Sequence, residues 1–522
     1  MQKECAVIKP KFNFTVEGNF IAGRFQRPTD VSGDWVGRSP ADFSDEIGRF
    51  QYSYSSIDDA IQEASKAFKE WRKKSITERA EFLKKYQSAL KDRNEELCEA
   101  IAREVGKPLW EAKTETAAMI NKVDITLTES LKFISDFEIP KIMEGTVGAC
   151  RYKPLGVMAV IGPFNFPGHL PNGHIVPALM TGNTIIFKPS EKTPMVGQIM
   201  AQCFRDAGFP SGVFNLLQGE KEVGRRLCVH EGIAGVLFTG SYEVGTRIKQ
   251  DTLQQHWKLL ALEMGGKNPA LVWEDAQVEN AVYETLMGAF LTTGQRCSAT
   301  SRILVHQKVL NEFVDSFHER AKAFSIGYPL DNPFMGSLID QGAVDRYMKF
   351  LGIAAREGCE VIMRGKSLEL PVNGNYVTPS ICLIPKGSLE QTRKSVYQQT
   401  ELFAPNVAIV GVSDLDDAIA QANATQYGLV TSVFTQNRAV YEKCLEELEM
   451  GLVNWNKSTV GASSRLPFGG VKKSGNHFPT ALTAPLYCTV PVASLEIAEP
   501  SKSKETGTKT PGLNWNERKK PV

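Results

Sequence analysis

Two stretches of this sequence carry side chains suited to covalent chemistry. The first is Gly294-Gln295-Arg296-Cys297-Ser298-Ala299. A thiol becomes a nucleophile when its surroundings favour the thiolate. One cysteine among ten is, as a type, more often an inert core residue. Cys297 is distinguished by a polar turn between a helical segment (276–291) and a strand (301–305), where α/β proteins keep their sites. The second stretch is Leu262-Glu263-Met264-Gly265-Gly266-Lys267-Asn268-Pro269, directly after a strand. Glu263, with two glycines allowing close backbone approach, suits a general base, or equally a turn or helix-capping carboxylate. A third stretch, Phe238-Thr239-Gly240-Ser241-Tyr242-Glu243-Val244-Gly245, reads as strand, turn and helix. It is able to bring a phosphate to a helix N-terminus, although its spacing is not GxGxxG. Lys188-Pro189-Ser190-Glu191 closes another strand, and this pair could bond ribose hydroxyls or stand as an ordinary solvated pair.

The elements that must position these residues fall into two textures. Residues 57–74 place Ile57, Ile61, Ala64, Phe68 and Trp71 at helical spacing. A second helix is expected from Thr77 to Val105, stopped by Gly106-Lys107-Pro108, and another helical stretch near 111–134. These three read as a helical layer without catalytic groups. From residue 157 short β-branched runs alternate with helical segments: 157–161, 184–188, 213–217, 235–239 and 258–262. A second alternating region covers about 276–450, with strands near 301–305 and 429–434. Alternation of this kind implies parallel sheets covered on both faces, here two α/β domains in one chain.

Composition narrows the field. The 522 residues are enough for two or three domains, and 60 Lys+Arg against 59 Asp+Glu leave a net charge of +1. A dominant basic face for nucleic acid is therefore not expected. No apolar run reaches the ~18–20 residues of a membrane helix, and Met1 to Phe14 lacks the apolar stretch of a secretory signal. The cysteines are scattered singly, with no CxxC pair, which suits a reducing compartment and argues against a zinc ribbon. A cytoplasmic protein with no metal and no membrane partner is expected.

Taken together, the four stretches resemble the aldehyde dehydrogenase superfamily, over about residues 16–498. Gly162-Pro163-Phe164-Asn165-Phe166-Pro167, Glu401-Leu402-Phe403-Ala404-Pro405 and Pro467-Phe468-Gly469-Gly470 add to the likeness. Within it, residues 168–179, 423–429, 451–464, 473–477 and 491–496 resemble the branch that acts on N-succinylglutamate 5-semialdehyde, in arginine catabolism. Glutamate semialdehyde and succinate semialdehyde are the alternative substrates, and a catalytically silent relative is the alternative of another class.

The resemblance implies a fold and roles. The fold would be a Rossmann-type NAD-binding domain (16–139 and 160–265), an α/β catalytic domain (266–452) and a small β oligomerisation unit (140–159 and 478–498). Residues 499–522 would form a mobile tail. Cys297 would attack the aldehyde carbon, Glu263 would activate the hydrolytic water, and Asn165 would donate to the oxyanion. Lys188 and Glu191 would bind a ribose of NAD, residues Gly240, Ser241, Tyr242, Glu243, Val244 and Gly245 would approach the pyrophosphate, and Glu401 with Phe403 would meet the nicotinamide ribose. A carboxylate at Glu191 favours a free 2′-hydroxyl, hence NAD over NADP. His174 stands where many members carry a lysine, either as a proton relay near Glu263 or as packing beneath the site. Arg465 and Lys457 are the candidate cations for substrate carboxylates, and the assembly expected is a homodimer or a dimer of dimers.

Overall fold

The structure is a computed structural model that describes residues 8–498, so the expected tail at 499–522 lies outside the described residues. A helical layer comes first, with helices at Ser55–Trp71, Ile76–Asp92, Asn94–Val105 and Leu109–Thr128. The single helix expected from Thr77 to Val105 is thus two. The chain breaks at Arg93, whose guanidinium turns aside to Asp206 (2.7 and 3.0 Å) and Glu96 (2.9 Å). The first of the two starts earlier than Thr77, at a capping box: Ser75 Oγ accepts the Glu78 N–H (3.2 Å) while Glu78 accepts the Ser75 N–H (2.7 Å). The second ends on Gly106 in the left-handed region (φ +79°), as its sequence suggests.

Two seven-stranded sheets follow. The first runs, in spatial order, Leu259–Glu263, Gly235–Thr239, Val157–Ile161, Thr184–Lys188, Phe214–Leu216, Asn19–Ile21 and Arg24–Gln26. Its first five strands are parallel, and the final pair is an antiparallel hairpin on the far edge. Thr184–Lys188 and Gly235–Thr239 are buried along their whole length. That is why their sequences are near-continuous apolar runs rather than alternating ones. The helical layer closes one face through Trp71, Leu83 and Tyr86, and the ring of Tyr86 stacks at 3.9 Å on Phe204 of the helix Pro194–Asp206, which stacks at 3.9 Å on Phe214.

The second sheet runs Glu360–Met363, Ser380–Ile384, Asn406–Val412, Thr300–His306, Asn268–Val272, Val430–Phe434 and Leu452–Trp455, all parallel except the first. A third, antiparallel sheet joins Phe137–Met143, Thr146–Pro154 and Thr489–Glu496. The β-hairpin expected at 140–159 therefore begins at Phe137 and ends at Pro154, because Val157–Ile161 belongs to the first sheet. In the segment 478–498 the strand begins only at Thr489; before it lies a short helix, Ala484–Tyr487. Among the described residues no helix is long and apolar enough to cross a membrane.

Candidate active site

Parallel strands end at one edge, and the first sheet uses that edge to bring its polar residues together. Register pairs Ile161 with Lys188 and Thr239 with Glu263, so the turns after all four strand ends share one rim. Lys188 is buried at its strand end, with Nζ donating to the Pro189 carbonyl (2.9 Å) and lying 3.5 Å from Glu191 Oε2. Burial pushes its ammonium pKa down, and the Glu191 carboxylate opposes that shift. Trp35 Nε1 donates to the Glu191 carbonyl (3.0 Å), fixing the turn while the carboxylate stays reachable. Ser241 caps the helix Tyr242–Asp251, its Oγ accepting the Val244 N–H (3.3 Å). The N–H groups of Tyr242 and Glu243 remain at the open helix start, where no intrahelical acceptor exists. Gly245 packs that helix inward; a Cβ there would fall 2.5 Å from Met264 Sδ. A half-exposed carboxylate beside a buried lysine, on the same sheet edge as an open helix start, is a donor and acceptor set that fits a ribose and a pyrophosphate.

Glu263 ends the strand Leu259–Glu263, which Asn476 pins from outside by accepting the Leu262 N–H (2.8 Å) and donating to the Leu260 carbonyl (3.0 Å). Its carboxyl is buried, and neither oxygen has a full hydrogen-bond partner among the described residues. Burial pushes its pKa up to about 8; the nearby Cys297 thiol pulls it down and Glu401 adds to the rise. Cys297 itself is partly accessible, on the loop that leads into the strand Thr300–His306. Its thiol is driven well above the ordinary range, by burial first and then by the Glu263 and Glu401 carboxylates. Thiol and acid are thus each protonated at rest near neutral pH, and a proton can pass between them only once Glu263 ionises.

Three further groups frame this pair. The Asn165 amide donates to the Gln295 carbonyl (3.0 Å), two residues before the thiol. Asn268 Nδ2 donates to the carbonyls of Cys297 (2.7 Å) and Ala299 (3.0 Å), holding the loop from behind. Glu401 Oε1 accepts the Gly266 N–H (2.9 Å), and a Cβ on Gly265 would stand 1.9 Å from Oε2, so only glycine admits this approach. Burial raises the Glu401 pKa to about 7. Phe403, in the left-handed region (φ +56°), meets Phe164 edge-on at 5.8 Å.

The remaining expected residues make no hydrogen bond to Cys297 or Glu263. His174 is buried beneath the sheet rim, its Nδ1 2.9 Å from the Tyr487 hydroxyl and its Nε2 3.4 Å from Thr239 Oγ1. Burial drives its pKa down to about 3, so the ring is neutral, and it makes no hydrogen bond to Glu263. Arg465 pairs with Glu129 (2.8 Å) and Lys457 with Glu284 (3.2 Å), both on the surface. The helix expected near 111–134 runs Leu109–Thr128, and, against its reading as a layer without site groups, it sends Glu111 and Glu115 inward. Glu115 accepts from Lys107 Nζ (2.7 Å) and from the N–H groups of Gly168 (2.9 Å) and His169 (3.1 Å). Lys107 also donates to the Asn165 carbonyl (2.6 Å). The available signal was two carboxylates four apart on the helix face that also carries Ala112, Met119 and Val123. Among the described residues no group of three His, Cys, Asp or Glu side chains could hold a metal ion.

With this geometry in place, comparison with known proteins is decisive. The model of the aldehyde dehydrogenase family matches residues 38–484. The chain belongs to the aldehyde dehydrogenase family. An N-succinylglutamate 5-semialdehyde dehydrogenase of Novosphingobium aromaticivorans is 38% identical over 456 residues, covering 87% of this aldehyde dehydrogenase and 95% of the relative. One of the same name from Ectopseudomonas mendocina is 40% identical over 450 residues, covering 85% and 90%. Among solved structures, a 1-pyrroline-5-carboxylate dehydrogenase from Thermus with bound NAD superposes with a TM-score of 0.86 at 30% identity, covering 92% and 93% of the two chains. An aldehyde dehydrogenase from Bacillus cereus gives a TM-score of 0.88 at 28% identity, covering 94% and 99%. The two-sheet α/β architecture described above is the aldehyde dehydrogenase fold.

Proposed function

We propose that this enzyme oxidises N-succinyl-L-glutamate 5-semialdehyde to N-succinyl-L-glutamate with NAD, in the cytoplasm and in the service of arginine breakdown. The observation that carries the chemistry is the Cys297 thiol beside a buried Glu263 carboxyl that has no competing partner. Relatives named for this substrate, matched over most of the chain, support the choice of semialdehyde.

In this reading Glu263 takes the thiol proton and the Cys297 sulfur bonds to the aldehyde carbon, giving a thiohemiacetal oxyanion. The Asn165 amide keeps one N–H on the Gln295 carbonyl and turns the other to that oxygen, a preorganised donor of the kind worth ~10²–10³ in rate. NAD, when bound, supplies the hydride acceptor that converts the thiohemiacetal to a thioester. Lys188 and Glu191 hold a ribose, residues Gly240 to Gly245 the pyrophosphate, and Glu401 with Phe403 the nicotinamide end. Glu263 releases the thiol proton to solvent, then accepts a proton from water as hydroxide adds to the thioester carbon; the carboxylic acid leaves from the sulfur, which regains a proton, and Glu263 gives up its second proton to solvent. His174 packs beneath the rim. Lys457 and Arg465 offer the charges for the substrate carboxylates by exchanging their present partners. The Thr489–Glu496 strand and the hairpin beside it form the contact of a homodimer or a dimer of dimers.

The deciding experiment compares kcat/KM, read as NADH formation, for the succinylated semialdehyde, glutamate semialdehyde and succinate semialdehyde. A preference of at least tenfold for the first supports the reading. A preference for either unsuccinylated compound rejects the substrate and leaves the family membership untouched.

A further inference from the structure

The loop that presents Cys297 reaches it through an unfavourable backbone. After the helix Val278–Phe290 the chain passes Thr292, Thr293 and Gly294 with φ of +53°, +55° and +71°. Two consecutive threonines in the left-handed region are rare, since Cβ crowds the carbonyl and β-branching worsens it. Gly294 has a local reason: a Cβ would lie 2.3 Å from the Ala404 carbonyl oxygen. The threonines have none. Strain of this kind persists only where the surroundings over-determine it, and it gathers at functional sites.

Gln295 holds the Thr292 carbonyl through its N–H (3.0 Å) and its side-chain amide (3.3 Å), and one carboxylate holds the rest of Thr292. Glu111, reaching in from the helix Leu109–Thr128, accepts the Thr292 N–H at Oε1 (2.9 Å) and the Thr292 hydroxyl at Oε2 (2.5 Å). The same Oε2 accepts Arg296 Nη2 (2.8 Å), while Arg296 Nε donates to Thr292 Oγ1 (2.8 Å). Glu111, Thr292 and Arg296 thus close a ring of hydrogen bonds around the turn. Glu111 is buried, and the Arg296 side chain keeps 13% of its exposure, so these charge-assisted bonds escape most solvent screening. Arg296 then lies over the Phe166 ring at 4.9 Å, beside Asn165. Between Thr292 and Cys297, Gln295 is held by the Ile339 N–H (2.9 Å) and offers its carbonyl to Asn165 (3.0 Å).

We infer that Glu111 is a positioning residue for both the Cys297 sulfur and the Asn165 amide, acting through the left-handed Thr292–Thr293 turn and Arg296. It touches neither substrate nor cofactor. Releasing the turn moves the thiol away from the Glu263 carboxyl and the Gln295 carbonyl away from Asn165 in one motion. The inference rests on the reading of Cys297 as nucleophile, but not on which aldehyde is oxidised.

The test is Glu111→Gln, which keeps an acceptor for the Thr292 N–H and removes the charge that binds Arg296, with Thr292→Val as a milder second variant. Alkylation of Cys297 by iodoacetamide, kcat, and the NAD dissociation constant are measured for each. Misplacement of a reacting group by about 1 Å costs on the order of 10²-fold, so Glu111→Gln should lower kcat by roughly 10- to 100-fold. Alkylation should slow in parallel, with NAD affinity unchanged. In the cycle with Arg296→Met, the double variant should be no slower than Glu111→Gln alone, since the two act as a unit. A folded Glu111→Gln enzyme whose kcat and alkylation rate stay within twofold of wild type overturns the inference. So does a loss of kcat with unchanged alkylation, or one matched by loss of NAD binding. If Glu111→Gln does not fold, the same readings on Thr292→Val decide. A wild-type enzyme inactive on the succinylated semialdehyde, with alkylation that still depends on Glu111, would refute the substrate and not this inference.

Discussion

Glu263→Gln should make this enzyme more stable as it disables it, and the pH dependence carries the proof. The Glu263 carboxyl rises from an ordinary 4.5 to about 8 because it is buried without a full partner. A group whose native pKa lies above its unfolded one holds its proton longer in the native state. The wild type therefore loses stability as pH climbs from about 4.5 to about 8, and no more above it. At ~1.4 kcal/mol per pH unit, the penalty at pH 7 is about 3 kcal/mol. Glutamine carries no such penalty. For cooperative unfolding of a chain this long, that difference is a rise of about 3 °C in Tm. The expected result is a Tm gap between variant and wild type that is small at pH 5, grows to pH 8 and then levels. The partner experiment is single-turnover quenching of the acyl-enzyme. With the base about one-tenth ionised at pH 7 and half at pH 8, wild-type deacylation should quicken about fivefold across that unit. In Glu263→Gln the acyl-enzyme should accumulate. A Tm gap that is constant from pH 5 to 8.5, or deacylation indifferent to pH, would refute the placement of a high-pKa base at Glu263.

Cys297→Ser should lower aldehyde oxidation by roughly 10³-fold or more while NAD still binds; an intact rate would sink the nucleophile. Glu191→Ala should raise KM for NAD and shift the NAD to NADP preference at least tenfold towards NADP, since it removes the carboxylate that repels a 2′-phosphate. An unchanged preference places the adenosine ribose elsewhere. The small antiparallel sheet exposes Phe137, Ile139, Ile142, Met143 and Leu495, an apolar surface that water does not tolerate well on an edge. Light scattering should show a homodimer or larger, and a stable, active monomer would refute that assembly.

What was legible in the sequence depended on how local its cause was. The parallel strands could be read because burial on both faces forces continuous apolar runs such as Thr184–Lys188, a property of five adjacent residues. The break at Arg93 was less legible, because of the two carboxylates its guanidinium meets, Glu96 is three residues on but Asp206 is 113 residues away. The capping box at Ser75 was local and was still overlooked in favour of Thr77. The same division runs through the active site. Cys297 sits in a turn and Glu263 at a strand end, each beside glycines and polar neighbours that mark it from sequence. Asn268 and Glu111 look like ordinary strand and helix residues until the fold brings each against the Cys297 loop. Thr292 and Thr293 go further and contradict local rules, since no propensity places β-branched residues at positive φ. The N–H and hydroxyl of the first, Thr292, are held by a carboxylate 181 residues away in sequence. A residue-by-residue reading fails where tertiary contacts override local preference. At this loop the override shapes the turn that carries the Cys297 thiol beside the Glu263 carboxyl, the pair on which the proposed chemistry rests.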